Sequence, residues 1–289
     1  MSVPRSLDLP PHARRVTLDT SFGTVAALRI DAVGGPQRAT VLLIPGFTGS
    51  KEDFIAVLEP LSRAGYAVVA IDQRGQFETP DHDDAGGTDP YSLDRFARDA
   101  VAIAAAVGGP LHVVGHSFGG LVATAMVLRD AAQVRSLTLL CSGPAALPPA
   151  QAADLPTFVT ALPLMGKDTV WRVMRERSTV ASGAATPEVE EFLLRRFTES
   201  STDSLVAIAT ALCDAPDAVD ALAELGVPVL VAHGENDDAW PLEEQRRMAE
   251  RLAAPLRVLP GAGHSPAVDS PDLLAETLIP FFADLDLRV

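Results

Sequence analysis

Cysteine is scarce in this chain: Cys141 and Cys213 are the only two among 289 residues. Their spacing gives no support for a disulfide. The chain also shows none of the Cys and His patterns that bind zinc, so no metal site is indicated. Cys141 lies within an apolar run and is interpreted as a small buried hydrophobic residue, while Cys213 lies in a predicted helix. We therefore expect no metal and no cofactor.

Basic residues are also few relative to acidic ones. The chain has 23 Lys and Arg against 38 Asp and Glu, which gives a formal net charge of −15 at pH 7. Nucleic acids and anionic membrane surfaces are bound through basic patches. The composition therefore predicts that neither is a partner, and it mildly disfavours a highly anionic substrate.

Long hydrophobic runs are missing as well. The longest apolar stretch, around residues 100–107, is much shorter than the roughly 20 residues that cross a bilayer. The first eight residues contain no apolar segment of the kind found in signal peptides. The default expectation is a reduced, soluble, cytoplasmic protein without a membrane partner.

What the chain does have is a hydrophobic content of 47%, enough for one sizeable core domain with an insertion. Continuous apolar runs, typical of strands buried on both faces, alternate with helical patterns. This alternation predicts an α/β fold with a mostly parallel sheet of about eight strands flanked by helices. The runs lie at residues 41–44, 68–71, 111–114, 137–140, 229–232 and 257–259, preceded by a hairpin pattern at residues 15–20 and 24–30.

The pentapeptide at residues 115–119 reads Gly-His-Ser-Phe-Gly and directly follows one of these runs. A Gly-x-Ser-x-Gly between a strand and a helix forces a sharp turn that leaves the serine hydroxyl above the edge of the sheet. The residues after the motif suit a buried helix, so the required context is present. Ser117 is therefore the candidate nucleophile.

A serine hydroxyl is a weak nucleophile at neutral pH, so it needs a base and an acid that orients the base. Asp237 and Asp238 both follow the apolar run at residues 229–232, which places a carboxylate at a strand end. His264 lies in a loop rich in Gly and Pro just beyond the next run. These residues are the candidates for the other two roles.

The order Ser, Asp, His in these contexts resembles the α/β-hydrolase fold superfamily, in particular its capped serine hydrolases of the esterase and lipase kind. The acid segment shares Gly234, Asp237 and Pro241 with the family pattern, and this spacing favours Asp237 over its rival Asp238. Further segments that match in the expected order are Gly-His-Ser-Pro at residues 263–266, Pro-Gly-Phe-Thr-Gly-Ser at residues 45–50 and Asp-Gln-Arg-Gly at residues 72–75.

The resemblance implies a role for each residue. Ser117 is the nucleophile, His264 the general base and acid, and Asp237 the acid that fixes the tautomer of the imidazole. The backbone N–H groups of Phe47 and Phe118 are expected to form the oxyanion hole. In this family, His233 beside the acid is structural.

Residues 147–222 break the alternation of strands and helices, since they carry several helical patterns and no strand. The resemblance implies a helical cap inserted after strand 6, with residues 1–146 and 223–289 forming the core domain. Apolar side chains of the insertion would then reach a substrate pocket, although packing between helices explains the same pattern. The candidates for this pocket, together with one tryptophan of the core, are Phe158, Leu162, Met165, Trp171, Met174 and Trp240.

Two segments depart from the pattern of many relatives. Pro45 stands where His is common in the oxyanion turn, so a supporting hydrogen bond would be missing there. After the Asp-Gln-Arg-Gly segment, Gln76, Phe77 and Glu78 replace smaller residues. They are interpreted as a structural loop held by Asp72 and Arg74, with the shaping of one side of the pocket as the alternative.

The sequence thus predicts a serine hydrolase that cleaves carboxylic esters of small to medium uncharged substrates through an acyl-enzyme. Lactones, thioesters, amides or peptides and carbon–carbon bonds remain alternative substrates, because one triad serves them all. An alternative of another class is a small-molecule receptor or signalling protein that keeps the triad but turns over slowly. The expected partner is a small ester-like molecule, and the expected state is a monomer or a homodimer.

Overall fold

The computed structural model describes residues 1–81, 91–178 and 185–287. Its strands are β1 (Arg14–Thr20), β2 (Gly23–Ile30), β3 (Ala39–Ile44), β4 (Tyr66–Ile71), β5 (Leu111–His116), β6 (Val134–Leu140), β7 (Val229–Gly234) and β8 (Leu256–Leu259). They form one sheet in the order β1-β2-β4-β3-β5-β6-β7-β8. The first two strands form the predicted hairpin and join the sheet antiparallel to β4, and the other pairs are parallel. The predicted α/β fold with a mostly parallel sheet is confirmed.

Helices cover both faces of this sheet, which is why its central strands read as continuous apolar runs. The helices are α1 (Ile55–Arg63), α2 (Leu93–Val107), α3 (Phe118–Arg129), α4 (Leu155–Met165), α5 (Lys167–Ser178), α6 (Pro187–Glu199), α7 (Thr202–Asp214), α8 (Val219–Glu224), α9 (Leu242–Arg251), α10 (Pro266–Asp269) and α11 (Pro271–Asp286). In β3, Val41 and Leu43 face α1 and α11, whereas Leu42 and Ile44 face α2 and α3.

Helices α4 to α8 lie between β6 and β7, where the sequence predicts a helical insertion. The first four, called the cap helices below, share an apolar cluster that includes Phe158, Leu193 and Phe197. Helix α8 instead contributes Val219 and Leu222 to the core on the α3 face of the sheet. The division into a core domain and a cap at residues 146/147 and 222/223 stays a prediction.

The cap helices pack against the core. Phe77, in the loop after β4, belongs to the apolar cluster of the cap, and Ile208 and Leu212 of α7 extend into the core cluster. The cap helices therefore pack over the loops that follow β3, β4 and β5. Within the described part of the chain, no helix has both the length and the apolar character needed to cross a membrane.

Candidate active site

Ser117 lies in the sharp turn between β5 and α3, with the backbone in the left-handed region at φ 54°. Glycine is needed on both sides of it. A Cβ atom at Gly115 would lie 2.3 Å from the carbonyl oxygen of Gly119, and one at Gly119 would lie 2.3 Å from that of Ile44. Real Cβ atoms do not approach backbone this closely, so the motif forms the turn that the sequence predicts.

Ser117, His264 and Asp237 form a continuous chain of hydrogen bonds. The Nε2 atom of His264 lies 3.0 Å from the Oγ of Ser117, and its Nδ1 lies 2.7 Å from an Oδ of Asp237. A carboxylate only accepts, so the imidazole donates from Nδ1 and its Nε2 is free to accept the serine proton. The three candidates from separate loops are thus brought together in the geometry that nucleophilic catalysis by serine needs.

Asp237 is buried at the end of β7, and both of its carboxylate oxygens have partners. One oxygen accepts from His264 and from the backbone N–H of Ala239, and the other accepts from Nε2 of Gln245 at 2.8 Å. Burial opposes the charged form, but the hydrogen bonds from His264 and Gln245 hold the pKa of this carboxyl below its ordinary value. Asp238, by contrast, is exposed.

Gln245 is a residue of the site that the sequence analysis did not identify. It lies in α9 and is fully buried, and besides Asp237 it contacts the backbone carbonyl of Trp240. A signal was present, because Gln245 shares one face of the helix with the apolar Met248 and Ala249. A polar residue on the apolar face of an amphipathic helix needs a buried partner, which here is the carboxylate.

The turn after β3 packs closely against Ser117. A Cβ atom at Gly46 would lie 2.8 Å from the Cβ of Ser117, so only glycine permits this approach. Within the described residues, the backbone N–H groups of Phe47 and Phe118 donate to no protein acceptor. Phe118 is the first residue of α3, where N–H groups lack partners inside the helix.

The loop after β4 supports this turn. Gln73 donates from Nε2 to the carbonyl oxygen of Pro45, and Gln76 donates from Nε2 to that of Gly46. The loop is anchored by a buried ion pair of 2.7 Å between Lys51 and Asp72, as well as by one between Arg74 and Asp99.

One cavity opens at Ser117, and a second lies next to it. The first, of about 260 Å³, is lined by Ser117, His264, Phe47, Met174 and Trp240, among others. The second, of about 490 Å³, lies between α4 and α5 and shares Phe47, Leu155 and Met174 with the first. Shared lining residues make the two cavities adjacent.

The pocket candidates differ in their positions. Trp240 lines the first cavity, Phe158 and Met165 line the second, and Met174 lines both. Leu162 and Trp171 line neither, because they are buried in the apolar cluster of the cap. The residues at positions 76–78 line neither of these two cavities. This agrees with the interpretation of the loop after β4 as structural.

Among the described residues, one cluster has the composition of a metal site, and it overlaps the hydrogen-bonded chain. Cys141 lies within 4.8 Å of the ligand atoms of Asp237 and His264. Burial raises the pKa of the Cys141 thiol well above its ordinary value, so the thiol stays protonated and is a poor ligand. The other two residues already bind each other, which suits proton transfer better than metal binding.

Known proteins resemble this chain in sequence and in fold. A family model described as the alpha/beta hydrolase family matches residues 41–277. The chain is 29% identical over 269 residues to "Putative carbamate hydrolase RutD" of Variovorax paradoxus, a match that covers 89% of this chain and 96% of that protein.

Two further relatives are esterases. The chain is 30% identical over 252 residues to the pimeloyl-[acyl-carrier protein] methyl ester esterase of Neisseria meningitidis, covering 81% of this chain and 90% of the relative. The structure of a thermophilic esterase from Thermogutta terrifontis superposes with a TM-score of 0.74 at 23% identity, covering 94% of this chain and 99% of the other. Sequence, fold and comparisons together establish that the chain belongs to the alpha/beta hydrolase family.

Proposed function

We propose that the protein is a serine hydrolase that cleaves carboxylic esters of small to medium uncharged substrates through an acyl-enzyme. The observation that carries this proposal is the chain of hydrogen bonds from Ser117 through His264 to Asp237. This arrangement supplies the base that a serine hydroxyl needs, together with the acid that orients the base.

In the first half of the proposed reaction, His264 takes the proton of Ser117 while Oγ attacks the ester carbonyl carbon. Negative charge develops on the carbonyl oxygen, which accepts hydrogen bonds from the backbone N–H groups of Phe47 and Phe118. Each such donor typically contributes about 3 kcal/mol to stabilisation of the transition state. The imidazolium that forms is stabilised by the buried carboxylate of Asp237.

In the second half, His264 gives its proton to the departing alcohol, and the acyl group stays on Ser117. Water then attacks the acyl-enzyme with His264 again acting as base, which releases the acid and restores the serine. Each step uses the same hydrogen-bonded chain, so no group outside it has to move a proton.

The lining of the cavities supports an uncharged substrate. Around the larger cavity, Asp154 and Thr157 are the polar side chains, and the rest of the lining is apolar, including Phe158, Val170 and Val173. Burying a charged group against such a surface is costly, whereas an alkyl chain is stabilised by leaving water. We assign the smaller cavity to the reacting ester group and the larger one to a medium-length acyl chain.

A carbamate is the second candidate substrate. Its support is the 26–29% identity to three relatives named "Putative carbamate hydrolase RutD", and the chemistry is compatible because a carbamate carbonyl accepts the same attack by serine. The two candidates differ in the preferred group on the carbonyl, which is an amine nitrogen in a carbamate and an alkyl chain in an ester.

Hydrolysis of a series of p-nitrophenyl esters from acetate to decanoate tests the proposal, with a p-nitrophenyl carbamate measured beside it. We expect turnover of the esters with an optimum at medium chain length, and a loss of at least about a thousandfold in Ser117→Ala. A higher kcat/KM for the carbamate would favour the second candidate. Rates in the wild type no faster than in Ser117→Ala would overturn both candidates and favour a receptor with a preserved triad.

A further inference from the structure

The proposed oxyanion donor of Phe47 belongs to a peptide group whose other end is held by a side chain. In a trans peptide the N–H of one residue and the carbonyl of the residue before it point in opposite directions from one rigid plane. The carbonyl oxygen of Gly46 accepts from Nε2 of Gln76 at 2.8 Å and from the backbone N–H of Gly49 at 3.2 Å. Fixing this carbonyl therefore also fixes the direction of the Phe47 N–H.

The side-chain amide of Gln76 has one orientation that satisfies its neighbours. Its Oε1 accepts from the backbone N–H of Gln73 at 3.0 Å, while its Nε2 faces the Gly46 carbonyl. A flipped amide would set donor against donor on one side and acceptor against acceptor on the other. Gln76 is 2% exposed, so water does not compete for either bond.

The loop that carries Gln76 is itself held from two sides. Toward the sheet, Thr79 donates to the carbonyl of Asp72 and from its backbone N–H to the carbonyl of Gln76. Toward the cap, Ser200 accepts from the backbone N–H of Phe77, and Ser204 donates to the carbonyl of Arg74. Bonds at both flanks keep the side chain of Gln76 directed at the oxyanion turn.

We propose that Gln76 is a positioning residue that fixes and polarises the peptide group supplying the Phe47 N–H to the oxyanion. A bond to the carbonyl strengthens the N–H of the same peptide as a donor, and it removes the need to reorient that donor during the reaction. Pro45 has no side-chain donor for this turn, and Gln76 provides one from the neighbouring loop. This inference rests on the proposed function, since it assigns a role within the same site.

Gln73 provides a matched control on the same loop. It is also buried and also donates to a carbonyl of the turn, at 2.9 Å, but that carbonyl belongs to Pro45. The N–H in the Pro45–Gly46 peptide is that of Gly46, which is not a proposed donor to the oxyanion. Loss of either side-chain amide therefore perturbs the same loop. Only loss of the Gln76 amide also affects the peptide group that carries the proposed Phe47 donor.

The experiment compares Gln76→Met with Gln73→Met in the full chain. One assay is the steady-state hydrolysis of a p-nitrophenyl ester, and the other is the rate at which an alkyl fluorophosphonate labels Ser117, followed by mass spectrometry. In the labelling reaction the Oγ–P bond forms, fluoride leaves with the P–F bond electrons, and His264 takes the proton. The developing charge on the phosphoryl oxygen needs the same donors.

Removing one whole oxyanion donor typically costs 100- to 1,000-fold in kcat, and a misdirected donor should cost less. We expect Gln76→Met to lower both kcat and the labelling rate about 10- to 100-fold, with KM changed by less than about threefold. Gln73→Met should change each quantity by less than about threefold. Thermal melting of all variants identifies any that are unfolded, and Gln76→Asn, which also withdraws the amide from Gly46, replaces an unfolded methionine variant.

The possible results separate the two claims. If the wild type is labelled at Ser117 and folded Gln76 variants react at the wild-type rate, the positioning role is wrong and the proposed function stands. Equal losses in Gln73→Met and Gln76→Met would also overturn it, because they would indicate a general disturbance of the loop. A wild type that neither turns over esters nor is labelled would overturn both claims.

Discussion

At the scale of single residues, Asp237 and Asp238 differ only in their surroundings. Asp237 is buried and accepts from His264, Ala239 and Gln245, whereas Asp238 is exposed. In the proposed mechanism, the buried carboxylate of Asp237 fixes the imidazole tautomer and stabilises the imidazolium, and the exposed carboxylate of Asp238 does neither.

We therefore expect Asp237→Asn to lower kcat for p-nitrophenyl esters by about 10³- to 10⁴-fold, because the amide can favour the wrong tautomer of His264. The matched control, Asp238→Asn, should stay within about twofold of the wild type. Steady-state kinetics at neutral pH measures both. A larger loss in Asp238→Asn than in Asp237→Asn would reverse the assignment of the acid.

The sequence was sufficient to predict the residues that meet at the site, but not those that support them. Ser117 and His264 stand in motifs whose glycines and neighbouring strands indicate their position. Gln245 shows in the sequence only as a polar residue on an apolar helix face, and Gln76 as an ordinary polar residue of a loop. The roles inferred for both rest on contacts across the fold. The contact from Gln76 to Gly46 joins loops 30 residues apart, a relation that local patterns do not contain.

At the scale of elements, α4 and α5 form the walls of the larger cavity. Val173 of α5 lines this cavity and is 41% exposed, whereas Leu164 of α4 is 81% exposed and lies outside it. The two positions therefore allow the same large side chain to be placed inside and outside the proposed acyl site.

We expect Val173→Trp to lower kcat/KM for the decanoate ester at least about tenfold. An acyl chain that is excluded from the cavity loses roughly 0.8 kcal/mol of stabilisation for each methylene that is no longer buried. Hydrolysis of the acetate ester should change by less than about twofold, since acetate needs only the smaller cavity. Leu164→Trp should leave the whole chain-length profile unchanged. A uniform loss across the series in Val173→Trp would place the acyl chain elsewhere.

Helical periodicity predicted the cap helices but not which of their side chains face the cavities. An apolar side chain packs equally well against a neighbouring helix or a ligand, so the pattern is the same for both. Trp171 and Leu162 show the difference, because both are buried in the cap cluster, while Met165 from the same helices lines the larger cavity. The relative rotation of the helices decides this, and it depends on contacts across the whole insertion.

At the scale of the whole molecule, buried histidines link stability to pH. His112 is enclosed by Ser136, Asp286 and the ring of Phe282, and His116 lies beneath His264. Burial lowers the pKa of each of these two histidines from 6.5 to about 4. Between these values the two histidines bind protons in the unfolded chain but not in the folded protein, so their contribution to the free energy of unfolding falls as the pH drops from 6.5 to 4.

Each such group contributes a slope of up to about 1.4 kcal/mol per pH unit in this window. Because the two histidines have the same shift, they contribute equally to the slope of the unfolding free energy against pH. We expect His112→Asn to remove about half of their joint contribution. Urea denaturation at several pH values between 4 and 7 measures the slope. An unchanged slope in His112→Asn would contradict this link between histidine burial and stability.

The most direct test of the central claim is to trap the acyl-enzyme. The protein is mixed with p-nitrophenyl butyrate, quenched in acid within the first turnovers, and digested for mass spectrometry. The proposed mechanism requires one butyryl group on the peptide that contains Ser117, and none in Ser117→Ala. Hydrolysis at the full rate in Ser117→Ala, or a butyryl group that forms and turns over at another residue, would contradict it.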